Sequence, residues 1–157
     1  MLNKLRTRSA EESGFTLVEL LVVMLILGIL AAIAIPAFFS QRDKAKDSDA
    51  KSTVNTASTA MESCASDNGG VYTSCTLTSL KTIEPTIATY AAGPPIVPGI
   101  STVTTPAAGG YTLTATSSTG NTFSITRAAD GTLSYPCNGV AKPSAGCPGG
   151  TATSNWK

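Results

Sequence analysis

Residues 15–39 read FTLVELLVVMLILGILAAIAIPAFF, and the rest of the chain is best understood outward from this run. Apart from Thr16, Glu19, Gly28 and Pro36 it is apolar, and from Leu20 to Phe39 it carries no charge. A helix of about 20 apolar residues spans the ~30 Å hydrocarbon core of a bilayer. Lys4, Arg6 and Arg8 lie just before it. Basic residues on that side predict that the helix starts at the cytoplasmic face and ends outside. Residues beyond Arg42 are then exported, into surroundings where disulfides persist.

Three readings fit such a run. It is a plain membrane anchor, or a secretory signal with Ala32-Ile33-Ala34 as its small-residue cleavage site, or a stem retained after a cut at its front. The first two leave Glu19 unexplained. A carboxylate at the centre of a membrane helix costs about 2.5–3.5 kcal/mol, and less near the interface. No side chain of opposite sign lies in the run. A cut before Phe15 supplies a partner, because it creates a positive α-amino group at the helix start. Glu19 of one chain can then pair with that group on a neighbour.

The segment Glu12-Ser13-Gly14-Phe15-Thr16-Leu17-Val18-Glu19-Leu20 resembles the processing motif of type IV pilins and the related pseudopilins. The resemblance runs closely to about Pro36 and loosely, as a helix pattern, to about residue 66. It implies a leader, residues 1–14, removed by a prepilin peptidase between Gly14 and Phe15, with Phe15 then N-methylated and Glu19 serving assembly. It further implies local unwinding between Gly28 and Pro36 in the assembled filament. The implied partners are copies of the chain itself in a helical filament, the peptidase, the inner-membrane pilus assembly machinery, and the membrane before assembly. The implied location is the cytoplasmic membrane for the precursor, amino terminus inside, then an extracellular filament. Pseudopilins share every amino-terminal feature. Those of the major secretion class often carry an acidic calcium site near the carboxy terminus, whereas here Asp130 is the only acid after Glu84.

Beyond the apolar stem, residues 40–66 read as an amphipathic continuation of the helix. Ala50, Val54, Ala57, Met61 and Cys64 or Ala65 recur at steps of four and three, which makes one apolar stripe. The charges from Asp43 to Lys51 read as a solvated face, with Asp47 and Lys51 at i,i+4 spacing. Asp67-Asn68-Gly69-Gly70 is a stop signal. Such a helix would be about 78 Å long at ~1.5 Å per residue, too long for one small core to cover.

Residues 67–157 form the β-rich head. From Gly70 to about Thr105, prolines at 85, 94, 95 and 98 mark a loop-rich connector with one or two short elements. After Gly110 the pattern alternates. Tyr111, Leu113 and Ala115, then Phe123 and Ile125, then Leu133 and Tyr135 are interleaved with Thr and Ser, as in strands buried on one face. Ser118–Asn121 and Ala129–Gly131 supply the turns. The expected fold class is α+β: a long amino-terminal helix, membrane-spanning in its first half and amphipathic in its second, packed on a small antiparallel sheet, with a disulfide-closed terminal loop.

Cys64, Cys75, Cys137 and Cys147 allow three disulfide connectivities. Closeness in the chain favours Cys64–Cys75 and Cys137–Cys147, and the latter would contribute roughly 2–3 kcal/mol by closing a loop of about ten residues. The spacings lack the tight knuckles of zinc sites, so neither metal nor cofactor is expected.

The chain contains no histidine, which removes the commonest general base and every Ser-His or Cys-His nucleophile pair. No enzymatic role is expected. Basic residues number 11 and acidic residues 10, and the two are equal in number after residue 14. Nucleic-acid binding needs clustered Lys and Arg, and here only Arg127, Lys142 and Lys157 could form a small patch.

Overall fold

The computed structural model describes residues 14–92, 98–106, 109–139, 146–147 and 154–157. The leader up to residue 13, Lys142, and the middle of the terminal cysteine loop lie outside them. The chain divides into two compact units, Met1–Phe38 and Phe39–Lys157, and helix α1, Leu17–Asp67, contributes to both.

In the first unit α1 is helical throughout, and its backbone runs through Gly28 and Pro36 without interruption. The unwinding that the resemblance implies at Gly28 and Pro36 concerns the assembled filament, and in the single chain the segment is helical. Proline removes one donor, so the Ala32 carbonyl loses its usual partner. The Leu, Met, Ile and Ala residues on either side have good or moderate helix propensity and sustain the turns around that gap. A Cβ at Gly28 would meet no described atom within 4 Å, so close packing within the chain does not require glycine there.

In the second unit the expected stripe is the buried side of α1. Ala50, Val54, Ala57 and Met61 have no exposed surface, and Cys64 and Ala65 are 4% exposed. All but Ala65 join Ile100, Tyr111, Leu113, Ala115, Phe123 and Ile125 from the sheet in one hydrophobic core. Full burial of a large side chain of this kind stabilises by about 1.5–3 kcal/mol.

The sheet contains β1 (Gly99–Thr104), β2 (Tyr111–Thr116), β3 (Thr122–Arg127), β4 (Leu133–Ser134), β5 (Pro136–Asn138) and β6 (Ser154–Asn155). Its order is β1-β2-β3-β5-β6, with β4 also on β3 and every pairing antiparallel. β4 and β5 follow a single register along β3: Leu133 faces Arg127 and Cys137 faces Phe123. They are one strand interrupted at Tyr135. Leu133, which alternation places inside, is 42% exposed. Among the described strands β4 pairs only β3, so the outer flank of Leu133 is uncovered.

The connector holds a short helix, α2 (Leu77–Ile83), whose first turn is capped by Thr76 accepting from the Ser79 N–H at 3.3 Å. It also holds β1, because its prolines flank that strand and leave the strand interior free to pair. The edge of β1 is partly covered: Ile100 N–H donates to the Ala88 carbonyl at 2.8 Å, and Tyr90 N–H to the Ile100 carbonyl at 2.9 Å. Gly99 permits this approach, since a Cβ there would sit 2.5 Å from the Ala88 oxygen.

The charge run on α1 departs from expectation at Asp47, which is fully buried. Its two oxygens accept from Thr119 Oγ1 at 2.5 Å and Asn121 Nδ2 at 2.8 Å, which ties the β2–β3 turn to the helix. Lys51 donates to the Gly146 carbonyl at 2.8 Å instead of forming the i,i+4 ion pair. Its ammonium lies 5.0 Å from the Phe123 ring and 5.8 Å from that of Trp156. Two neutral donors and a nearby cation make burial of the acid tolerable. Replacing Asp47 by Ala removes the acceptor that Thr119 and Asn121 share, and we expect a loss of about 1–3 kcal/mol of head stability, read as a lower Tm with the disulfides intact.

Candidate functional site

The residues singled out by the sequence fall into two groups. Gly14 and Phe15 lie just ahead of α1 and Glu19 in its first turn, while the four cysteines belong to the second unit. Gly14 is exposed and a Cβ on it would meet no described atom within 4 Å. Phe15 is 82% exposed. The Gly14–Phe15 bond therefore lies on non-helical backbone that no described residue covers.

Thr16 is the helix N-cap, and Glu19 is the third residue of the first turn. The Glu19 N–H donates to Thr16 Oγ1 at 3.2 Å. Glu19 Oε2 in return accepts from the Thr16 hydroxyl at 3.3 Å and from the Thr16 N–H at 3.5 Å. This is a capping box, Thr-x-x-Glu. Glu19 is thus not without a partner inside the chain. Reading charge alone overlooks Thr16, although its spacing from Glu19 was visible in the sequence.

From this cap to Phe39 every residue except the half-exposed Ala31 is exposed. Leu17 is 78% exposed, Ile33 71% and Phe38 65%. The helix is long and apolar enough to cross a membrane. An apolar surface of this extent on a folded chain marks a surface that something else must cover.

Elsewhere the cysteines pair as Cys64–Cys75 and Cys137–Cys147, with Cα separations of 6.0 and 5.8 Å. The first bridge closes the loop carrying Tyr72. That phenol donates to Glu62 at 2.8 Å, and Glu62 also accepts from Tyr111 at 3.0 Å and Arg127 at 2.9 Å. Arg127 is thus engaged by an acid, and Lys157 donates to Asn55 at 2.9 Å over the Tyr135 ring. Two members of the small basic patch have local partners, and the third, Lys142, lies outside the described residues.

Burial first, partly opposed by the Ser58 hydroxyl and reinforced by Glu62, pushes the Tyr111 phenol up to about 12. A phenol whose pKa is higher in the fold than its ordinary ~10 stabilises fully below about pH 10, and that contribution is lost as pH rises through about 12. Burial shifts Lys51 downward against the pull of Asp47, so Lys51 acts in the opposite direction at high pH. We expect thermal melts of wild type and Tyr111→Phe to differ in slope between pH 10 and 12, with the variant losing less stability there.

Comparison with known proteins places residues 10–35 in the prokaryotic N-terminal methylation motif. The chain is 43% identical over 58 residues to the type II secretion system core protein G of Pseudomonas aeruginosa, covering 37% of this chain and 41% of that protein. It is 37% identical over 94 residues to the prepilin peptidase-dependent protein D of Escherichia coli, covering 60% and 64%. It is 50% identical over 50 residues to the type IV major pilin protein PilA of Myxococcus xanthus, covering 32% and 23%. Each match covers less than two thirds of the relative's own length. No solved structure matches.

Proposed function

We propose that this chain, a type IV pilin-family member, is a structural subunit of a type IV pilus, cut by a prepilin peptidase between Gly14 and Phe15 and assembled through its apolar helix. The observation that carries the reading is the helix surface from Leu17 to Phe39, exposed along its length and directly preceded by the Gly14–Phe15 junction. An ordinary signal peptidase would discard this helix, whereas a cut in front of it leaves the mature chain with a stem that requires covering. In the membrane, lipid tails cover it. In a filament the stems of other copies do so, and burying about 20 apolar side chains at ~1.5–3 kcal/mol each gives a gross drive of tens of kcal/mol. Lost lipid contacts and ordering offset much of that.

On this reading Glu19 pairs with the new α-amino group of a neighbouring Phe15, which is N-methylated after the cut, and sets the register of addition. The leader's basic residues hold the precursor with its amino terminus in the cytoplasm, and the assembly machinery extracts it into the filament. The stretch from Gly28 to Pro36 unwinds when stems pack together, because it already lacks one backbone hydrogen bond. The second reading, a pseudopilin of a secretion or DNA-uptake machine, is favoured by the likeness to core protein G. The likenesses to PilA and to proteins named fimbrial support the pilus, as does the single acid, Asp130, after Glu84.

Sheared surface filaments should contain the chain beginning with a methylated Phe15, as read by mass spectrometry. A mature chain beginning after Ala34 overturns the proposal. Surface filaments that lack the chain, together with lost protein secretion on its deletion, shift the assignment to the pseudopilin. Glu19→Ala should be processed yet fail to enter filaments. Gly14→Val should accumulate as uncut precursor, and because a Cβ at Gly14 touches no described atom, that failure would report on the peptidase and not on misfolding.

A further inference from the structure

We propose that Thr16 is the positioning residue of assembly, holding the Glu19 carboxylate so that one oxygen is engaged within the subunit and the other is presented to the neighbouring subunit. The inference rests on the pairing role given to Glu19 above. A carboxylate offers about four lone-pair sites on two oxygens. Glu19 Oε2 takes both donors of Thr16, its hydroxyl and its N–H. Among the described residues, Oε1 receives no hydrogen bond.

An unrestrained glutamate would sample several rotamers, and ordering it on association has an entropic cost. The box removes part of that cost before the partner arrives. It is also independent of maturation, because the proposed cut breaks the Gly14–Phe15 bond and leaves the Thr16 N–H and hydroxyl in place. The carboxylate is therefore set in the precursor, and cleavage adds only the cation it is to meet. Thr16 does this with one hydroxyl, which accepts from the Glu19 N–H and donates to the Glu19 carboxylate. Capping needs only the accepting half of that arrangement, and positioning needs the donating half.

The two halves can be separated in cells carrying the full-length precursor, its peptidase and its assembly machinery. The readouts are the ratio of filament-borne to membrane-borne subunit and the mass of the amino terminus. Thr16→Val removes both halves and should lower the filament ratio about tenfold, the scale of one hydrogen bond to a charged group, with cleavage unchanged. Thr16→Ser restores both and should assemble within about twofold of wild type. Thr16→Asp caps helices well but brings no hydroxyl donor, so it should fail like the valine variant. Wild-type assembly by Thr16→Asp or Thr16→Val, or an uncut Thr16→Val precursor, overturns the proposal. Glu19→Ala run in parallel separates the two levels. If it assembles normally, the pairing role itself falls. If it fails while Thr16→Val assembles, only the role of Thr16 falls.

Discussion

The dominant constraint on this molecule is an apolar surface that the subunit leaves uncovered. Among the described residues, the large apolar side chains from Leu17 to Ile35 are exposed, and lipid or another protein must complete their environment. The second unit obeys the opposite rule. There the same helix buries Ala50, Val54, Ala57 and Met61 completely against a sheet of the same chain. One helix therefore carries two solvation problems, and only the second is solved within the subunit.

The head closes over α1 with few long-range polar contacts, placed where apolar packing alone would leave the orientation loose. Asp47 ties the β2–β3 turn to the helix. Glu62 gathers Tyr72, Tyr111 and Arg127 from the first disulfide loop, β2 and β3. The terminal segment is held by Trp156, whose indole N–H donates to the Ser124 carbonyl at 3.0 Å and whose ring meets Phe123 and Tyr135 edge-on. Apart from Tyr72 with Glu62, these contacts join residues more than 20 positions apart, and at Asp47 they satisfy a fully buried acid.

Local, periodic signals made much of this legible from the residues. The apolar run, the stripe on α1 and the alternation in β2 and β3 each repeat over several turns or pairs, so a single exception does not hide them. The disulfides followed from closeness in the chain. What escaped was non-local or compact. Strand β1 was masked by prolines that bound it. Leu133 kept its alternation but lost its cover, a fact about which strands have neighbours and not about residue 133. Asp47 looked like any solvated acid, because Thr119 and Asn121 lie more than 70 positions away. Thr16 stands at capping-box spacing from Glu19, a local signal that charge alone does not carry.

Gly14 carries a wider implication. Among the described residues no atom crowds this glycine, which sits on non-helical backbone ahead of the first helical turn. On the proposed reading, a demand for glycine there comes from the peptidase that takes up a narrow backbone, and not from packing among the described residues. On that reading, what the peptidase recognises and what folds the second unit rest on different residues, so a change in one leaves the other untouched.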